Sequence, residues 1–206
     1  MNEVLVYKKE VVKDRRVFPL VKRAFDIIVS LALIIILAVP MLIIAILIRI
    51  DSPGPVIFKQ TRMGRNGESF TIFKFRSMLV DAPSDMPAKD IAHAAYTTKL
   101  GHFLRVTSID EIPQLLNILR GDMSFVGYRP VCLTEDKLNQ LRMQYGVFSM
   151  RPGLTGYAQV HGRDEIQSCY EKAKLDAYYL ENASVKLDLW CIYRTAITVL
   201  SGRGAN

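Results

Sequence analysis

The chain has 206 residues, 50% of them hydrophobic, with 27 Lys and Arg against 20 Asp and Glu and a formal net charge of +7. Apolar content this high, with only 12 Gly and 3 Cys, excludes an intrinsically disordered chain, a collagen-like repeat and a disulfide scaffold. Mean hydropathy is +0.16 although 23% of residues are charged, so the apolar residues must be gathered in one place.

The chain opens on a basic arm, residues 1–19, carrying Lys8, Lys9, Lys13, Arg15 and Arg16. Such an arm is either solvated or attracted to anionic lipid. From Ile27 to Ile48 no residue is charged, and only Ser30 and Pro40 interrupt the apolar run. As a straight helix that run reaches roughly 33 Å, enough for a hydrocarbon core of about 30 Å. Both flanks are basic, Lys22 and Arg23 before the run and Arg49, Lys59, Arg62 and Arg65 after it, so neither is marked as the translocated side. Two topologies fit: a single span with a tolerated proline, which is the commoner structure, or a helix that bends near Pro40 and returns to the face it entered.

Asp51-Ser52-Pro53-Gly54-Pro55 then stops the helix. The spacing predicts strands over Val56–Arg62 and Ser69–Arg76, joined by Gly64-Arg65-Asn66-Gly67 with its Asn-Gly turn signal, hence a β-hairpin. Residues 79–96, with Asp81, Pro83, Ser84, Asp85 and Pro87, carry the composition of a surface loop with room for one short helix. A helix of about three turns is expected from Thr107, with Ile112, Leu115, Leu116 and Leu119 at helical spacing and Gly121 past its end. Further helices are expected over Glu135–Tyr145, Cys169–Tyr179 and Ser184–Leu200. In the last, Leu189, Ile192, Tyr193, Ala196, Ile197 and Leu200 share a face suited to a membrane interface or to the core, and core packing is the expected arrangement.

The carboxylate pair Asp110-Glu111 stands where that central helix begins. A carboxylate at a helix N-terminus can stay ionised and act as a nucleophile, but Ser108-x-x-Glu111 also fits a capping box, which explains the pair by stability alone. Basic residues accompany it: Lys74 and Arg76 on the hairpin, Arg105, Arg129 in Gly127-Tyr128-Arg129-Pro130, and Arg151 in Arg151-Pro152-Gly153-Leu154-Thr155-Gly156. Each alone is a surface charge; together, with Arg held in Pro- and Gly-containing turns, they suit a diphosphate substrate. No GxxxxGK[ST] or GxGxxG sequence is present, which argues against a nucleoside triphosphatase or a dinucleotide enzyme. His93, His102 and His161 lack metal-ligand spacing, and the cysteines Cys132, Cys169 and Cys191 form no CxxC pair.

Several ordered motifs carry a family likeness: Lys22-Arg23 with Asp26, the apolar run with its proline, Ser52-Pro53-Gly54-Pro55, Lys74-Phe75-Arg76-Ser77-Met78, Ser108-Ile109-Asp110-Glu111-Ile112-Pro113-Gln114-Leu115, Gly121-Asp122-Met123-Ser124-Phe125-Val126-Gly127 and Arg151-Pro152-Gly153-Leu154-Thr155-Gly156. From about residue 20 onward the chain resembles the bacterial sugar transferases, the monotopic polyprenyl-phosphate phosphoglycosyl transferases, in their small single-domain form. The resemblance implies transfer of a phosphosugar from a UDP-sugar to a polyprenyl phosphate such as undecaprenyl phosphate. UMP would be released, and a surface polysaccharide, capsule or glycoconjugate begun. It implies Asp110 as the nucleophile that takes up the phosphosugar, Glu111 as its partner, Mg2+ held at Asp110, and Lys74, Arg76, Arg105, Arg129 and Arg151 about the substrate phosphates. It also implies an α+β, mostly helical fold: a re-entrant membrane helix over residues 20–50 with its break near Pro40, Lys22 and Arg23 at the interface, and a cytoplasmic catalytic domain over 51–206 with interfacial helices and a small β-hairpin. The expected location is the cytoplasmic face of the bacterial inner membrane; the expected partners are the two substrates and the bilayer, with a homo-oligomer or downstream glycosyltransferases as further candidates.

The chain departs from the family pattern in places. Tyr128 replaces the proline of the usual Pro-Arg-Pro, Val39 the serine before the membrane proline, Ala94 and Tyr96 an Asp and an Arg, and His161-Gly162-Arg163-Asp164 the common Asn-Gly-Arg-Asn. Tyr128 is the feature that favours a different class, a membrane-anchored, non-catalytic adaptor of a glycan-assembly complex; the intact Asp110-Glu111 opposes it. A basic domain binding nucleic acid has no reader motif here, and no nucleic-acid partner is expected.

Overall fold

The computed structural model describes residues 17–82, 95–162 and 168–201. The basic arm up to residue 16, most of the loop following residue 82, His93, Ala94, Arg163 and Asp164 lie outside the described residues.

One helix, α1 (Val17–Asp51), takes in the whole apolar run; Pro40 lies inside it and does not divide it into two elements. Its N-terminal turns are tied to the rest of the protein by polar contacts. Lys22 Nζ donates to Asp188 Oδ2 at 2.6 Å and to the Tyr179 hydroxyl at 3.2 Å, and buried Asp26 accepts from Ser124 Oγ and the Phe125 amide, both at 3.1 Å. Further along, Val29, Leu33, Ile34 and Leu37 pack on a core built around Leu115, Ile118, Phe125 and Val126. At the C-terminal end Ile48 is buried with Phe75 and Leu104. Both ends of α1 therefore dock on the same body. Its opposite face is bare and apolar, with Ile28, Ile35, Ile36 and Val39 among the exposed side chains.

The hairpin is β1 (Ile57–Met63) and β2 (Ser69–Phe75), antiparallel, with Ile57 opposite Phe75 and Met63 opposite Ser69. A single 3-10 turn, Arg65–Gly67, joins them; Asn66 and Gly67 take positive φ of 57° and 78°, which is why Asn-Gly stands there.

Next come α2 (Lys99–Val106), capped by the Thr98 side chain on the Gly101 amide, a 3-10 turn over Ile109–Glu111, and α3 (Gln114–Arg120). The expected three-turn helix from Thr107 is thus two pieces. Pro113 has no amide hydrogen to continue a ladder from the turn, so it can stand only at the start of α3. Gly121 ends α3 at φ 96°, as its position predicts, and the exposed carbonyls of that end are covered: Arg23 donates to Ile118 O at 2.7 Å and to Leu119 O at 2.9 Å, and Arg151 Nε to Gly121 O at 2.7 Å. Cations at a helix C-terminus also oppose its negative dipole end.

The strands β3 (Ser124–Val126) and β4 (Gly153–Thr155) form a parallel pair, Ser124 beside Gly153 and Val126 beside Thr155. The pair continues past β3 at Gly127, where a β-carbon would lie 2.3 Å from the Arg151 carbonyl oxygen and 2.8 Å from the Gly153 amide. Gly127→Ala must push these backbones apart, at a cost of about 1–3 kcal/mol or more. Thermal unfolding of the variant should fall accordingly; an unchanged melting temperature would refute this tight crossing.

The remaining helices are α4 (Asp136–Gln144), the short α5 (Tyr157–Val160), α6 (Cys169–Asn182) and α7 (Val185–Leu200), the last capped by the Ser184 side chain on the Leu187 amide. Among the described residues the fold is mostly helical with two short strand pairs and one long apolar helix near the N-terminus. One expectation for α7 is corrected. Leu189, Tyr193 and Ile197, expected in the core, are exposed together with Val185, while Cys191 is fully buried on the opposite side. The helix is apolar on two faces, and the side with the small Cys191 is the one that seats in the core beside Tyr179 and Val126.

Candidate active site

Ser108 carries the backbone feature that builds the site. It adopts a left-handed conformation at φ 57°, uncommon for a residue with a side chain, and turns the chain sharply between α2 and the 3-10 turn that holds Asp110 and Glu111. Its side chain makes no capping bond, so the capping box is not formed. The Glu111 carboxylate is turned elsewhere: Oε1 accepts from Lys74 Nζ at 2.8 Å and from Arg129 Nη2 at 2.9 Å. Asp110 differs. Its nearest cation is Lys74 Nζ at 3.9 Å, and it accepts no hydrogen bond among the described residues.

Both carboxylates are buried. Burial is the main reason the Asp110 carboxyl titrates above its ordinary value, and the adjacent Glu111 charge adds to it; Lys74, Arg129 and Arg105 oppose the rise. Three cations thus surround two carboxylates. The Arg129 side chain is 36% exposed, so the cluster opens to solvent and can receive an anion from it.

Lys74, Arg105 and Arg129 are brought to the dyad, whereas Arg76 and Arg151 are not. Arg76 is buried and donates to Pro53 O at 2.9 Å, Ser52 O at 2.6 Å and Ser52 Oγ at 2.8 Å, closing the turn that ends α1. Arg151 is placed at the C-terminal end of α3 beside Arg23. Lys22 and Arg23 hold α1 to the domain through the contacts already given. Arg76→Met is therefore expected to cost about 1–3 kcal/mol of stability by leaving buried carbonyls without their donor, with the donor-substrate KM unchanged. A rise in that KM at unchanged stability would return Arg76 to the substrate site.

Sequence reasoning missed the support beneath Arg129. Arg142 of α4 donates from Nη1 to the Arg129 carbonyl at 2.9 Å, and pairs through Nη2 at 2.7 Å and Nε at 2.9 Å with Asp176 of α6. Its guanidinium lies 4.9 Å from the Tyr128 ring centroid, and that ring meets Phe148 edge-on. Tyr128 is fully buried. The position that usually holds a rigid proline is thus fixed by packing and a cation–π contact. No local sequence signal joins residues 128, 142 and 176; only the Arg and the Asp in otherwise ordinary helices hint at it.

Next to the dyad lies a cavity of about 300 Å³, walled by Leu33 and Leu37 of α1, Leu154 of β4, Val160 of α5 and Val199 of α7, with Ser108, Glu111 and Gln159 among its polar lining. Among the described residues no cluster of three or more His, Cys, Asp or Glu side chains could hold a metal ion. Magnesium that keeps most of its waters and meets substrate phosphates needs only one or two carboxylates, and Asp110, which accepts no hydrogen bond among the described residues, fits that mode.

The model of the bacterial sugar transferase family matches residues 17–202, and the chain belongs to that family. It is 39% identical over 199 residues to an exopolysaccharide production protein of Rhizobium leguminosarum bv. phaseoli, covering 89% of this chain and 97% of the relative. It is 35% identical over 182 residues to the UDP-glucose:undecaprenyl-phosphate glucose-1-phosphate transferase of Escherichia coli K12, covering 85% of this chain and 39% of that protein. A UDP-N-acetylgalactosamine-undecaprenyl-phosphate N-acetylgalactosaminephosphotransferase of Aeromonas hydrophila is also 35% identical, with 92% of this chain and 46% of the relative covered. The chain thus spans less than half the length of these last two.

Proposed function

We propose that this chain transfers a sugar 1-phosphate from a UDP-sugar to undecaprenyl phosphate, releasing UMP, at the membrane surface. The observation that carries the reading is the unequal treatment of two adjacent carboxylates: Glu111 is clamped by Lys74 and Arg129, while Asp110 accepts no hydrogen bond among the described residues and has Lys74 only at 3.9 Å. A carboxylate so placed is free to attack. An Asp110 oxygen attacks the β-phosphorus of the donor; the bond from that phosphorus to the bridging oxygen breaks, UMP leaves, and the phosphosugar is held as an acyl phosphate. A phosphate oxygen of the acceptor then attacks the same phosphorus and returns the Asp110 carboxylate. Lys74, Arg105 and Arg129 stabilise the charge on the transferring group, and Glu111 holds two of them in place. Asp110 would hold a Mg2+, which supplies further neutralisation of the diphosphate.

The re-entrant topology is part of the same proposal. A single span would carry one end of α1 about 30 Å from the domain, whereas both ends are docked on it. The bare apolar faces of α1 and α7 support immersion in lipid, and a lipid acceptor and a soluble donor can meet only at such an interface. We place the site on the cytoplasmic side, where UDP-sugars are made.

Relatives at equal identity are named for glucose and for N-acetylgalactosamine, so the sugar is found by assay. UMP release is measured for a panel of UDP-sugars with undecaprenyl phosphate and Mg2+, with intact mass after donor alone. One donor that gives UMP, and a phosphosugar adduct absent from Asp110→Asn, is the expected result. UMP release by Asp110→Asn at the wild-type rate would overturn the assignment.

A further inference from the structure

We infer that the cavity beside Glu111 binds the first isoprene units of the lipid acceptor and so selects a prenyl phosphate over other membrane phosphates. This rests on the reaction proposed above and names where one substrate sits. The walls are the argument. Leu33, Leu37, Leu154, Val160 and Val199 are apolar, and the four threonines of the lining have partners for their hydroxyls: Thr195 donates to Cys191 O at 2.9 Å, Thr198 to Arg194 O at 2.9 Å and Thr107 to Phe103 O at 2.8 Å, while Thr155 meets the Thr195 hydroxyl. The buried Gln159 Oε1, which has no hydrogen-bond partner among the described residues, and the Ser108 hydroxyl could meet one or two hydroxyls of a sugar or nucleotide, but the rest would lie unpaired against apolar wall, whereas a hydrocarbon carries none to lose.

Position adds the second strand. One wall belongs to α1, whose outer face is bare and apolar, so a chain leaving the cavity continues along a lipid-facing helix. Glu111, one residue from Asp110 and held by Lys74 and Arg129, also lines the cavity, so the anionic head of the same molecule meets cations as its tail enters the cavity. At about 300 Å³ the cavity stands at the low end of the range for ligand pockets, roughly 300–1,000 Å³, and takes only the start of a long chain.

The test is the kinetics of the full chain in detergent with undecaprenyl phosphate and its active UDP-sugar. Leu37→Trp and Val160→Trp fill the cavity; Ile36→Trp, on the outer face of α1, is the control. The acceptor KM should rise about tenfold in both cavity variants, with the donor KM within about twofold of wild type and the control unchanged. An unchanged acceptor KM, or a donor KM that rises in parallel, overturns the inference. If neither variant folds, wild-type protein is photolabelled with farnesyl phosphate bearing a terminal benzophenone. Label in residues 154–160 and 195–199 supports the site, and label absent from both segments overturns it. Labelling needs no turnover, so a wild type that labels there but never releases UMP would defeat the proposed reaction and leave the cavity assignment standing.

Discussion

Asp110→Asn is expected to lower turnover by a factor on the order of 10⁴ or more and, in the same protein, to raise stability at neutral pH. The loss follows from removing the attacking oxygen, since no neighbouring group replaces it: Glu111 is already engaged by two cations. The gain follows from linkage. The folded-state pKa of Asp110 is raised above its ordinary value of 3.8, chiefly by burial, so the folded protein binds that proton more tightly than the unfolded chain does. A raised carboxyl contributes stability that is fully present below the unfolded pKa and lost as pH rises through the folded one. At neutral pH the wild type therefore bears the cost of a buried charge that asparagine does not. Melting temperatures of the two proteins should differ in favour of the variant at pH 7 and converge on acidification. A variant less stable than wild type at pH 7 would mean that Lys74 and the arginines outweigh burial. The acid limb of the wild-type rate profile should likewise lie above the range of an ordinary exposed aspartate.

The second large effect concerns a residue distant from any substrate. Asp176→Ala leaves the Arg142 guanidinium buried without its carboxylate, and breaking a buried pair in this way costs about 3–5 kcal/mol. Replacing both members with apolar residues, Arg142→Met with Asp176→Leu, should recover much of that loss, because the desolvation cost goes with the charges. Activity should not recover with it. The Arg129 carbonyl would still lack its Arg142 donor, and Tyr128 its cation, so Arg129 would no longer be held toward Glu111. Denaturation profiles together with kcat and KM for the double variant separate the two roles. Full activity in a stable double variant would show that the pair serves the fold alone.

Tyr128 bears on how the chain is read. In sequence it is a departure that weakens the turn before Arg129 and favours a non-catalytic homologue. In the structure the ring stacks on Arg142 and meets Phe148, which restores by packing the rigidity a proline ring has by itself.

Features written in contiguous residues were legible without coordinates. The apolar run from Ile27 to Ile48, the hairpin with its Asn-Gly turn, the end of α3 at Gly121 and the helix over Ser184–Leu200 are local, since each depends on residues within a few positions of one another. Asp110 and Glu111 stood out for the same reason. What depended on distant partners was not legible. Strands of three residues such as β3 and β4 are too short to show alternation and exist because Gly127 and Gly153 let two backbones meet. Helix α2 was hidden by Gly101, a poor helix former kept where a β-carbon would lie 1.9 Å from the Ser77 carbonyl oxygen. Five cationic residues looked alike as candidate phosphate ligands. Only tertiary contacts divide them, since Arg76 and Arg151 spend their donors on carbonyls at helix ends while Lys74, Arg105 and Arg129 converge on the dyad. The order of residues alone thus set which groups were present, which segment was apolar and where most of the longer helices lie. Their partners were decided by packing between residues as much as 166 positions apart, and the difference between a clamped Glu111 and an Asp110 that accepts no hydrogen bond among the described residues by residues 37 apart, to which no local pattern is sensitive.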